Sequence, residues 1–132
     1  SNKQFSPSSR YNLTNLFRSM FALELENRLK KTSISVAVAH PGVTKSRQSR
    51  PYEVKKFKKS FYTYFSTNIQ TGIAPIIQAI EEDNVSAERV YAPKFFGFYG
   101  QPATMQHNKL VYNEELRNKL WTFTANELNL DL

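Results

Sequence analysis

Between Lys31 and Ser33 the spacing of apolar residues changes period, and this limits the chain to folds that alternate helix with strand. Before that point Leu13, Leu16, Phe17, Met20, Phe21, Leu25 and Leu29 follow the three-and-four spacing of a buried stripe, which predicts a helix over 10–31. Glu24 and Arg28 lie four apart and add a surface pair. Lys30 and Lys31 close the last turn, where cations suit the helix dipole. Beyond it, Ser33-Ile34-Ser35-Val36-Ala37-Val38-Ala39 alternates small or polar residues with β-branched ones and predicts a strand. Its mostly small and apolar content suits a central strand covered on both faces. His40-Pro41-Gly42 ends it, because Pro stops a ladder and Gly allows a sharp change of direction.

The rest of the chain continues the alternation. A helix is expected from Tyr52 to about Phe65, and another over 68–82 with Ile69, Ile73, Ile76, Ile77 and Ile80 as its apolar side. Pro75 should kink that helix or mark its first turns. Glu88 to Ala92 is expected as a short strand, and Pro93 to His107 as a loop rich in Phe, Gly and Pro. Asn113 is placed to cap a final helix reaching about residue 128, with Glu114 and Glu115 in its first turn and Leu116, Leu120, Trp121 and Leu128 facing inward. The order helix, strand, helix, helix, strand, helix implies an α/β layer within a single domain over residues 1–132. Two strands make a poor sheet alone, so the chain is expected to be part of a larger one.

Composition narrows the chemistry. No cysteine is present, which excludes disulfides and thiolate catalysis and makes a cytoplasmic location the default. His40 and His107 stand far apart without ligand spacing, so no dedicated metal site is expected. No apolar run approaches the roughly 20 residues that span a bilayer, and no membrane partner is expected. The net charge is +7, and the window Lys45 to Lys59 accounts for +6 of it, with seven basic side chains against Glu53 alone. Such a patch can attract phosphates or an acidic partner. Tyr52, Phe57, Phe61, Tyr62, Tyr64 and Phe65 interleave with it as stacking groups could, but aromatics at helical spacing are more often core than nucleic-acid platforms.

Several short motifs, taken in order, resemble the short-chain dehydrogenase/reductase superfamily, in the branch of the retinol dehydrogenases and their bacterial relatives. Phe5-Ser6-Pro7 is similar to the Tyr-Ser-Pro triplet before that family's catalytic segment, and Tyr11 matches its catalytic Tyr. Glu24-Leu25, His40-Pro41-Gly42, Gly72-Ile73-Ala74-Pro75, Tyr91-Ala92-Pro93, Gly97, Gly100-Gln101-Pro102 and Leu120-Trp121 follow at matching distances. The resemblance implies the carboxyl-terminal portion of a Rossmann-like doubly wound fold, with NAD or NADP as cofactor. It implies that Tyr11 would exchange the proton on the substrate oxygen. The family's Lys, which binds the ribose and lowers the Tyr pKa, is replaced here by Asn15, which carries no charge. The turn after the strand would contact the nicotinamide carboxamide, and Pro41, Gly42, Val43 and Ser46 hold matching positions, with Thr44 beside them.

A dinucleotide site needs a Gly-rich turn after its first strand, whereas the first glycine here is Gly42. The chain is therefore expected to be a truncated domain lacking the nucleotide-binding half, inactive alone and binding no cofactor tightly. It should be completed by self-association, as a dimer through the first long helix or the sheet edge, or by the missing half. Two alternatives stand beside this reading. One is an active NAD(P)-dependent carbonyl reductase or alcohol dehydrogenase formed once the missing half is supplied. The other is a non-catalytic binding module using the Lys45–Lys59 segment.

Overall fold

The computed structural model describes residues 6–44 and 68–130. The Lys45–Lys59 window, Ser46 and the helix expected over 52–65 lie outside the described residues. The fold is mixed α/β: α1 (Pro7–Leu29), β1 (Val38–Ala39), α2 (Ile69–Glu81), β2 (Arg89–Phe95), β3 (Tyr99–Gln106), a 3-10 turn (Lys109–Tyr112) and α3 (Glu114–Leu128). These elements form two compact units.

The first unit contains α1, the 86–88 segment, the 3-10 turn and α3. Ser6 caps α1 by accepting a hydrogen bond from the Ser9 amide at 3.1 Å, and Pro7 follows in the first turn, where its missing N–H costs nothing. The helix ends at Leu29, one residue before Lys30, so Arg28 is the base of its last turn. Asn113 caps α3 through the Leu116 amide at 3.0 Å, as its sequence predicts. Asn129 ends that helix in the left-handed conformation, with the Leu130 amide reaching back to the Ala125 carbonyl. Met20, Leu23, Val111, Trp121 and Ala125 form the buried centre. Leu13, Phe17, Leu116 and Leu128, expected inward, remain substantially exposed.

The second unit contains β1, β2, β3 and α2. The sheet order is β1-β2-β3, with β1 parallel to β2 (Val38 opposite Val90, Ala39 opposite Tyr91) and β2 antiparallel to β3. Two expectations are corrected here. Only 38–39 of the anticipated 33–39 strand is hydrogen-bonded as a strand, because β2 begins at Arg89 and gives the earlier residues no partner. The supposed loop after Pro93 instead turns at Phe96–Phe98 and returns as β3. Pro93 stands directly opposite Pro102. Neither has an N–H, so this can only be a pair whose nitrogens face away from each other, and both prolines are accommodated without breaking the β2–β3 ladder.

The isoleucine side of α2 is the third correction. Gly72, Pro75 and Ala79 are its buried residues, while Ile69, Ile73, Ile76, Ile77 and Ile80 are exposed. The reason is proximity. A Cβ on Gly72 would strike the Thr44 side chain and come within 3.3 Å of the Pro41 carbonyl oxygen, so only a face of small residues lets the helix settle this close.

Candidate functional site

Tyr11 stands in the second turn of α1 and is 63% exposed. Asn15, one turn later on the same face, is half-buried. The Ser6 cap and the Thr14 hydroxyl, which donates to the Arg10 carbonyl at 2.9 Å, fix the backbone around them. A phenol followed at this spacing by an amide has a possible hydrogen-bonding neighbour but no cation.

Pro41, Gly42, Val43 and Thr44 lie together in the second unit, where the chain leaves the carboxyl end of β1. The His40 amide makes the last ladder bond, donating to the Tyr91 carbonyl at 2.8 Å. Gly42 then turns the chain at φ +72°, and the Val43 amide donates to the Phe98 carbonyl at 3.1 Å. A Cβ at Gly42 would sit 2.5 Å from the Phe98 oxygen and 2.8 Å from Pro93 Cγ. The turn is thus pressed against the β2–β3 hairpin. Burial lowers the His40 pKa below its ordinary 6.5, because the charged ring loses hydration there.

This geometry bears on whether the residues fit a dinucleotide. A turn that grips a nicotinamide carboxamide needs free backbone groups, yet the Val43 N–H already donates within the protein. No cation follows Tyr11 at the Asn15 position, and no Gly-rich turn comes before Gly42. Among the described residues, those at the expected positions do not make a complete dinucleotide site.

Among the described residues, a buried polar cluster around Glu24 is only half legible in the sequence. Glu24, expected in a surface pair with Arg28, is 6% exposed. Its carboxylate accepts from Arg28 Nε at 2.9 Å and from Arg117 Nε at 3.5 Å, while Arg117 Nη1 donates to the Val111 carbonyl at 3.0 Å. The Arg28 guanidinium lies 4.4 Å from the centre of the Trp121 ring, and Phe21 stacks on that ring at 4.9 Å. A buried carboxylate needs such donors to offset its desolvation. Arg117 is far away in sequence, and no local spacing could have announced it.

A second clamp involves His107. Glu26 accepts from the Ala87 amide at 2.9 Å and the Ser86 hydroxyl at 3.2 Å, and His107 Nε2 pairs with the Ala87 carbonyl at 2.8 Å. The Tyr112 hydroxyl donates to the Glu88 carbonyl at 3.0 Å and accepts from the His107 amide at 3.1 Å. These bonds hold the 86–88 segment within the first unit and leave His107 a packing role. Among the described residues, no three His, Asp or Glu side chains gather where they could hold a metal ion. No helix there is long and apolar enough to cross a membrane.

No protein-family model matches the chain, and no curated protein does. Among solved structures, the chain is similar to the crystal structure of an uncharacterised protein from Mycobacterium paratuberculosis, with 18% identity and a TM-score of 0.67. The similarity covers 95% of this chain but 40% of that one, so the chain spans about two fifths of the length of the structure it matches. At this identity the likeness concerns the fold alone.

Proposed function

We propose that the chain is the carboxyl-terminal part of a short-chain dehydrogenase/reductase fold with a degenerate active site, and that alone it neither binds NAD(P) tightly nor catalyses hydride transfer. The observation that carries this reading is the parallel β1–β2 pair with the Pro41–Gly42 turn at the carboxyl end of β1. Open α/β sheets bind their ligands just outside the carboxyl ends of parallel strands. The motif order from Phe5 to Trp121 supports the same assignment. Asn15 and the engaged Val43 amide support the loss of function.

The partial coverage of a longer solved structure favours a second reading, an NAD(P)-dependent carbonyl reductase or alcohol dehydrogenase restored once the front half is supplied. Titration of NADH and NADPH separates the two. The chain alone should give no saturable binding, and the protein extended through the reading frame upstream of Lys3 should bind only if a nucleotide-binding half is encoded there. In such an extended protein Asn15→Lys should raise turnover, and an unchanged rate would remove Asn15 as the lesion. Tight binding of either nucleotide to the chain alone would overturn the first reading.

A further inference from the structure

The isoleucine stripe of α2 is an unusual surface for a helix already packed on its sheet. At 100° per residue, Ile69, Ile73, Ile76, Ile77 and Ile80 fall within an arc of roughly 100°, while the buried Gly72, Pro75 and Ala79 occupy a different face. The helix therefore has two apolar faces, a small one used by the fold and a large one left outside. The five isoleucines are between 38% and 78% exposed, and no charged side chain interrupts them. They offer roughly 400 Å² of apolar surface, the size of the largest patch on an ordinary monomer, which is often a functional one.

We infer that this stripe is a self-complementary interface through which two copies of the chain pair their α2 helices antiparallel. Two considerations select a second copy as the occupant. The first is area. A two-fold contact buries the stripe twice, roughly 800 Å² of apolar core, and a polar rim brings it to about the 1,000 Å² that a specific interface needs.

The second is charge. Of the chain's net +7, the window Lys45 to Lys59 carries +6, so a contact made through α2 itself brings together surface with almost no charge. From Ile69 to Glu81, α2 has no basic residue, and its one acid, Glu81, stands at the carboxyl end. Antiparallel pairing brings each Glu81 to the positive dipole end of the partner helix, with Ile69 of one copy facing Ile80 of the other and Ile73 and Ile76 flanking the axis. The sequence alone points to the first long helix or the sheet edge for a dimer; α2 carries the better case. This inference does not depend on the reductase reading, because it uses neither Tyr11 nor the Pro41–Gly42 turn.

Sedimentation velocity from about 1 to 300 µM tests it. The wild-type chain should form a dimer with a micromolar dissociation constant. Ile73→Glu with Ile80→Glu, both at exposed positions, should weaken dimerisation at least about 100-fold while leaving the far-ultraviolet circular dichroism unchanged. If that variant loses helix, Ile76→Cys decides the matter: in a chain without cysteine, mild oxidation should give a disulfide-linked dimer. A wild-type chain that stays monomeric throughout, including one that pellets with lipid vesicles, overturns the inference. So does a dimer that survives the glutamates, or an Ile76→Cys variant that forms no crosslink.

Discussion

Removing the charge of Glu24 should destabilise the first unit far more than a helix-surface ion pair could explain. Its carboxylate is nearly excluded from water and answers two guanidinium groups. Arg28 is part-exposed, so its share is about 0.5 kcal/mol. Arg117 is as buried as Glu24, and in Glu24→Gln it would be left as an uncompensated interior charge. Loss of one partner of a buried pair costs about 3–5 kcal/mol. The 3.5 Å separation puts this case at the lower end, so Glu24→Gln should cost about 3 kcal/mol. Trp121 is the only tryptophan and lies in the cluster, so urea unfolding followed by its fluorescence reads this unit directly. The companion variant Glu24→Met with Arg117→Met removes both charges and should recover most of the loss. A Glu24→Gln cost below about 1 kcal/mol, or a double variant no better than the single, would refute the reasoning.

Three further outcomes follow from the second unit. Gly42→Ala places a methyl group against the Phe98 oxygen at a φ that L residues avoid, and should cost about 3 kcal/mol by urea unfolding monitored by circular dichroism. Phe96 sits in the left-handed region at φ +52° and is 85% exposed, so Phe96→Gly should relieve strain and leave stability unchanged or higher by about 0.5 kcal/mol; a loss beyond about 1 kcal/mol would show that the ring is held. For His40 the folded pKa lies below 6.5, so as pH falls through that value the unfolded chain takes up the proton first. Its contribution is intact above 6.5 and is lost as pH drops through the lowered folded value. His40→Gln should flatten the dependence of the urea midpoint on pH below 6.5, and an unchanged slope would exclude His40 as a source.

The parts of the fold legible in the sequence are those set by neighbours in the chain. Asn113 and the two glutamates after it announce α3 because a cap needs only residues within one turn. The 33–39 segment has strand composition, but a strand exists only where another chain segment meets it, and here that is two residues. β3 is hidden because Gly97, Gly100 and Pro102 resemble loop residues, although together they build a hairpin turn and a proline-bearing strand. In α2 the period is right and the face is wrong, since hydrophobicity does not say which side must come close enough to require glycine. For the candidate site, Tyr11 and the turn at Gly42 can be located, but the Val43 amide's engagement with Phe98 depends on a hairpin that local pattern does not reveal.

The facing prolines of β2 and β3 have a consequence for how the sheet can grow. With its nitrogen turned outward, Pro102 leaves a gap in the row of donors along the outer edge of β3. β1, at the opposite margin of the three described strands, contains no proline. Among the described residues, the β3 margin is thus blunted against a further strand. Growth of this sheet into an open ribbon is therefore obstructed at β3.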